Sequence, residues 1–335
     1  MSQHSIHFHG PVTIHIHDGA PGDAIVSASV GEAEAARAFE KKQTFDPDYD
    51  GRPGYDADFL DVEVPAPTVR VERSREMLTG FDGEPLVLAY HHYSLAVNKQ
   101  RRFAMWTAAN VDYSPEMRGD ETRADFGDDG WRRDARVPAG YQVDDRDFYR
   151  PARRIDRGHL VRRDDAAWGA TPEERAFANA DTYHWTNCTP QHERFNRAPR
   201  FRGAWGELEN QIKAEAQRSG ARLSIFAGPV LAGEDPEALG VQYPLRYWKV
   251  LFAVENAQLR AYGFILDQSR VVARYGLALD KELDFEAFVE HQTSLQDIEA
   301  TTGVAFARSL HEADVLAGAS PVEIRHPTDL RRSFR

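Results

Sequence analysis

Cysteine is almost absent from this chain. Cys188 is the one thiol among 335 residues, so no intrachain disulfide can staple the fold, which fits a reducing compartment. Long apolar runs are missing as well, because no stretch approaches the roughly eighteen apolar residues that a spanning helix needs. The opening residues, Met1-Ser2-Gln3-His4-Ser5, have neither the basic start nor the apolar stretch of a secretory signal. These absences set the expectation of a cytoplasmic protein with no membrane partner. Positive charge is in deficit too: 41 Lys and Arg face 53 Asp and Glu, for a net charge of -12. That balance excludes a chain that coats polyanions through its overall charge. No internal repeat and no long low-complexity tract occurs.

What is present is a polar-surfaced chain whose 41% hydrophobic content is enough for a real core, in one large domain or two smaller ones. Charge is unevenly placed. Arg150, Arg153, Arg154, Arg157, Arg162 and Arg163 crowd one stretch, and Arg194, Arg197, Arg200 and Arg202 another, while the acids concentrate over residues 46–58 and 116–134. An acidic body with a basic cleft still steers a polyanion locally.

Residues 6–17 alternate apolar and polar with period two and read as a hairpin or two short strands about Gly10-Pro11. Their histidines share a face, which reads first as a solvated strand face and second as a metal site. Residues 32–42 form a helical candidate, and residues 46–67 a connector rich in Pro, Gly and Asp. Inside it, Asp46-x-Asp48-x-Asp50-Gly51 opens like a calcium loop, but Ala57 stands at the closing position and Pro53 interrupts, so an ordinary acidic turn is expected. Residues 86–90 and 103–111 read as strands separated by a turn at 98–102, and 112–146 as irregular. Trp205, Leu208 and Ile212 recur at helical spacing, giving an amphipathic helix over 205–218 that stops near Gly220. Residues 223–228, 247–255 and 258–266 are strands, the last two joined by a turn at 255–258. The tail over 283–302 carries a helix or two. The expected fold is therefore α+β, a mixed or antiparallel sheet core flanked by helices. The expected division is an N-terminal extension over 1–45, a connector and domain entry over 46–85, and the main domain over 86–335.

Two blocks carry the chemistry. The first is Asp156-Arg157-Gly158-His159, at the end of the arginine-rich run. The second is Thr186-Asn187-Cys188-Thr189-Pro190-Gln191, followed by Asn196 and then Trp205-x-x-Leu208-Glu209. An imidazole titrates near neutral pH without much tuning, so His159 suits removal of a proton from water. Asn196 offers a neutral amide oxygen to a hard cation that keeps most of its waters. Glu209 on the amphipathic helix would orient metal-bound waters, acting on the metal through water. Arg157 can present a guanidinium fork to a phosphate oxygen. Asn187 is either a competing ligand or a residue that positions the phosphate or His159. Asp156 and Gly158 serve the turn, Asp156 through backbone hydrogen bonds. Arg153, Arg154, Arg200 and Arg202 are candidates for tracking a nucleic-acid backbone. A nucleophile or metal pair of Cys188 with His184 is rejected, because a lone Cys beside Asn in a strand is a small packed residue.

These blocks resemble the DNA/RNA non-specific endonucleases, the ββα-metal enzymes that include the sugar-non-specific bacterial nucleases and mitochondrial endonuclease G. Phe226-Ala227-Gly228-Pro229-Val230 and Tyr247-Trp248-Lys249-Val250 resemble later strands of that family, and the likeness runs over roughly residues 70–310. The interval from Asn196 to Glu209 is longer than in compact members, so the segment 197–202 must loop out. The resemblance implies a ββα-metal motif, a Mg²⁺ cofactor with Mn²⁺ as a substitute, and DNA and RNA as substrates. It also implies hydrolysis that leaves 5′-phosphorylated ends. Such an activity needs restraint, so a controlled toxic role is expected, in antiphage defence or cell suicide. An inhibitor or activating protein is an expected partner. Residues 1–45 are the place for control or assembly, including a homodimer. The competing reading is a non-catalytic nucleic-acid-binding module that kept the fold.

Overall fold

Every residue from Ala104 to Asp112 is buried, and a strand buried on both faces needs a layer packed on each. The computed structural model describes residues 13–16, 26–29, 45–121, 125–126, 130–197, 204–275 and 289–324. The chain divides into two compact units, Met1–Thr44 and Phe45–Arg335. In the first, β1 (Thr13–Ile16) pairs antiparallel with β2 (Val26–Ser29), Thr13 opposite Ser29. The expected turn at Gly10-Pro11 and the helix over 32–42 lie outside the described residues.

In the second unit the strands of the main sheet and of a separate ribbon are β3 (Val87–Tyr90), β4 (Tyr93–Val97) and β5 (Ala104–Asp112), then β6 (Ile155–His159) and β7 (Cys188–His192). They continue with β8 (Arg222–Val230), β9 (Arg246–Glu255), β10 (Gln258–Asp267), β11 (Val289–Thr293) and β12 (Val322–Glu323). Eight of them form one sheet in the order β12-β11-β10-β9-β8-β5-β4-β3, antiparallel at every pairing. β6 and β7 pair only with each other, as a ribbon apart from that sheet. The fold is thus α+β with an antiparallel core.

Alternation along β9 shows how the sheet is covered. Trp248, Val250 and Phe252 enter a core with Phe226, Ile298 and Leu310, while Tyr247, Leu251 and Ala253 enter another with Trp205, Leu208 and Ile212. The helices that matter are α1 (Pro172–Asp181), α2 (Glu193–Asn196), α3 (Ala204–Ser219) and α4 (Leu295–Thr302). α3 ends as expected at Gly220, whose φ of +61° suits a residue without Cβ, and Ala221 N–H donates back to Ala216 O at 3.0 Å. Among the described residues no helix is long and apolar enough to cross a membrane.

Several strands escaped the sequence reading: β6 stands where a turn was expected at Asp156–His159, β12 was not foreseen, and β4 and β11 were hidden by their surroundings. β4 begins straight after a tight turn at His91-His92, where His92 takes φ +66°, a conformation usually signalled by Gly or Asn. β11 lies in a tail that reads as helical, of which only α4 is helix among the described residues. The connector expected over 46–85 lies within the second unit. Its aspartates act as turn formers: Asp48 N–H donates to Asp46 Oδ1 and Asp50 N–H to Asp48 Oδ1, each at 2.9 Å.

Candidate active site

The ribbon brings the two sequence blocks into register. Asp156 faces Gln191, Arg157 faces Pro190, Gly158 faces Thr189 and His159 faces Cys188. Gly158 is required by its neighbour, since a Cβ there would stand 2.3 Å from Cδ and Oε1 of Gln191, which is itself buried. α2 follows β7 and packs on both ribbon strands and on α3, so two strands and the long helix form one ββα unit.

His159 is half-buried at the end of β6. Its ring centroid lies 4.7 Å from that of Trp131 and 5.0 Å from that of Tyr183, the latter edge-on at 85°. Trp131 is in turn stacked on Trp185 at 5.0 Å. Neither Trp131 nor Tyr183 was legible as a site residue, because Trp131 sits in a polar irregular stretch and Tyr183 follows a helix. Asn187 is wholly buried. Its Oδ1 accepts from Val161 N–H at 2.9 Å, and its Nδ2 donates to Val161 O at 2.9 Å and Thr182 O at 3.0 Å. Its carbonyl accepts from Leu160 N–H at 3.1 Å, so one asparagine pins the two residues that follow His159.

Asp156 works through its side chain, where backbone hydrogen bonds were expected. Asn196 Nδ2 donates to Asp156 Oδ2 at 2.9 Å, and Arg197 Nε to the same oxygen at 2.8 Å. The backbone of Asp156 lies in the ribbon ladder, which leaves its carboxylate free to reach α2. A carboxylate only accepts, so the amide nitrogen of Asn196 must face it, and Oδ1 points elsewhere as a hard oxygen donor. Gln191 adds a second amide beside Gly158, buried, with neither Oε1 nor Nε2 bonded among the described residues. Also among the described residues, no group of three or more His, Cys, Asp and Glu could hold a metal ion. The oxygen donors present, mostly neutral amides, fit a hard cation that keeps several waters and are a poor match for zinc.

Glu209 lies on α3 with Oε1 accepting from Lys249 Nζ at 3.0 Å and Oε2 at 4.0 Å from Arg162 Nε. Lys249 is 1% exposed and its ammonium sits 4.2 Å from the ring centroid of Trp205. Trp205 and Glu209, four residues apart on one helix face, therefore share a single lysine from β9. The ionic chain continues outward. Arg162 bonds Asn210 Oδ1 at 2.9 Å and Lys213 bonds Asp164 Oδ2 at 2.8 Å. Burial alone would raise the Asp164 carboxyl, but the Lys213 hydrogen bond and the charge of Arg162 pull it down to about 2.

Arg157 is exposed and forks onto Asp145 at 2.7 and 2.8 Å, a hydrogen-bonded pairing that lifts its already high pKa further. Arg153 is exposed, and Arg154 is half-buried with Nη1 3.8 Å from Glu193 Oε1. Arg200 and Arg202 lie outside the described residues. Burial pushes the Cys188 thiol well above its ordinary value and drives the His184 imidazole down to about 4, so the first stays a thiol and the second neutral.

The family model for DNA/RNA non-specific endonucleases matches residues 74–313. The chain is 32% identical over 343 residues to an uncharacterized protein, y4fB, of Sinorhizobium fredii (strain NBRC 101917 / NGR234). That alignment covers 92% of this chain and 49% of y4fB, so the chain spans about half the length of this relative. Among solved structures, a complex of EndoG with EndoGI is similar with a TM-score of 0.49 and 16% identity, over 73% of this chain and 93% of that one. On the strength of the family match, this chain belongs to the DNA/RNA non-specific endonuclease family.

Proposed function

We propose that this chain hydrolyses phosphodiester bonds in DNA and RNA with little sequence preference, aided by one hydrated divalent cation, Mg²⁺ or in its place Mn²⁺, and leaves 5′-phosphorylated ends. The observation that carries this reading is the ββα unit, in which β6 ends on His159, the short helix α2 packed on the ribbon ends on Asn196, and α3 packed on α2 carries Glu209. His159 takes the proton from the attacking water, and the tilted ring of Trp131 and the edge-on ring of Tyr183 hold the imidazole in place. Asn196, oriented by Asp156, would hold the cation, with Glu209 fixing its waters from α3. Such a cation supplies charge stabilisation for the phosphorane-like transition state. Arg157, kept extended by Asp145, offers its remaining donors to the phosphate. Asn187 acts as a positioning residue through Val161 and Leu160. Arg153 and Arg154 contact the backbone, and contacts of that kind carry no sequence information, so weak specificity follows. The activity calls for restraint in its host, which fits a controlled toxic effector.

The test is incubation of the purified chain with plasmid and with RNA, in Mg²⁺ and in EDTA, beside His159→Ala. Metal-dependent cutting of both, reduced at least about 100-fold in the variant, is expected. Binding of either nucleic acid with no cutting in any metal would overturn it in favour of a binding module.

A further inference from the structure

Residues 45–52 lie upstream of the family match yet within the compact unit that carries the site. Their anchor is Arg52, which is 5% exposed. It donates through Nε to Asp181 Oδ2 and through a terminal nitrogen to Asp181 Oδ1, both at 2.8 Å. The same guanidinium binds the carbonyls of Asp48 at 2.8 Å and Asp46 at 2.9 Å, so this strap is wound around its own arginine. Both charged side chains are wholly buried. Removing either partner of such a desolvated pair strands a buried charge, so the contact between the strap and Asp181 is costly to break.

What the strap grips lies beside His159 on two sides. On the first side is the turn 181–187. Asp181 ends α1, and its carbonyl accepts from His184 Nδ1 at 2.7 Å and from Tyr93 Oη at 2.7 Å. His184 Nε2 meets the Tyr49 hydroxyl of the strap at 2.9 Å. The strap thus holds this turn at Asp181 and again at His184, and between them Tyr183 lays its ring against His159. On the second side, Arg132 stands with its guanidinium carbon 4.1 Å from the ring centroid of Phe45, and its neighbour Trp131 covers the imidazole. The two sides are tied together, since Arg132 N–H donates to Tyr183 O and Trp185 N–H to Arg132 O, both at 2.9 Å.

We propose that residues 45–52 are a positioning element for His159. Arg52 and Tyr49 fix the turn that carries Tyr183, and Phe45 steadies the segment that carries Trp131. The strap acts on the reaction only through that aromatic collar. The nuclease domain is then incomplete when cut at the boundary of the family match. This inference rests on His159 being the general base.

The experiment uses the full chain with Tyr49→Phe, Arg52→Lys and Arg52→Met, each also combined with His159→Ala. Cleavage of a short DNA duplex is measured well below every variant's unfolding temperature. Tyr49→Phe keeps the ion pair and removes one hydroxyl, so it tests the strap even where Arg52→Met fails to fold. For the folded Arg52 variants kcat should fall about 10- to 100-fold with KM within about 2-fold, and for Tyr49→Phe about 3- to 10-fold. In the His159→Ala background the same substitutions should add no further loss. The ring-proton resonances of His159, displaced by ring currents from Trp131 and Tyr183, should move in each strap variant. Losses that simply multiply with that of His159→Ala, or an unchanged kcat in folded Tyr49→Phe and Arg52→Lys, overturn the proposal. If the native chain cuts nothing, the functional reading has failed, and the His159 resonances still decide whether the strap holds that ring.

Discussion

Replacing Lys249 by Met tests how Glu209 is held. Met has nearly the length and volume of Lys, so packing against Trp205 survives and only the charge is removed. The pair is desolvated, Lys249 at 1% and Glu209 at 10% side-chain exposure, with 3.0 Å between Nζ and Oε1. Removing one partner of such a pair costs about 3–5 kcal/mol, because a carboxylate is left buried without its counter-charge. Here the loss is tempered. Arg162 lies 4.0 Å from the other oxygen and takes over part of the compensation, so about 2–3 kcal/mol is expected. For a unit of this size that corresponds to a fall in Tm of roughly 3–5 °C. Urea unfolding followed by circular dichroism measures it. Adding Glu209→Gln to Lys249→Met removes the stranded charge and should recover at least half of the lost stability. Both variants should also lose nuclease activity, since Glu209 either loses its orientation or its charge. The reasoning fails if Lys249→Met unfolds within about 0.5 kcal/mol of the native chain, or if the double variant is less stable than the single one.

Two further outcomes follow from other parts of the fold. Burial drives His92, His184 and His192 each from 6.5 to about 4, so the folded chain keeps them neutral where the unfolded chain takes up protons. The unfolded state binds more protons between pH 6.5 and 4, so stability falls as pH drops through that window, by about 2 kcal/mol per histidine at pH 5. A urea midpoint at pH 5 equal to or above that at pH 7.5 would contradict this. Gly158→Ala drives a methyl into the buried Gln191 amide, which should cost about 1–3 kcal/mol and disturb the strand that ends at His159. Activity and Tm both equal to those of the native chain would show that the ribbon relaxes freely.

Local patterns carried the sequence reading a long way, and long-range pairings limited it. The hairpin of β9 and β10 was legible because apolar-rich runs flank a short polar turn at 255–258, where Asn256 and Ala257 both take positive φ in the structure. α3 and its stop at Gly220 were legible from helical spacing and the glycine. β4 was hidden because His91-His92 does the work of a glycine-type turn. The resemblance to the endonuclease family suggested that Asn196 and Glu209 belong with His159, but not what holds each of them. Lys249 reaches Glu209 from a strand in the middle of the sheet, and Asp156 reaches Asn196 from the facing ribbon strand. The collar of Trp131 and Tyr183 and the pairing of Arg52 with Asp181 are contacts between distant segments, and no local period announces them.

The separateness of the β6–β7 ribbon has a consequence for how the molecule fails. A two-stranded ribbon is marginal in water unless something packs against it, and this one leans on α2, on the aromatic rings around His159 and on side chains that reach it from the main sheet and its margin, where Tyr247 and Gln268 both donate to the Pro190 carbonyl. Its opening costs those contacts and the burial of β7 but breaks no rung of the eight-stranded sheet. Heat or denaturant should silence the chemistry while most of the secondary structure stands, and amide protons of β6 should exchange ahead of those of β5. The chemistry thus rides on a pairing that the eight-stranded sheet does not share.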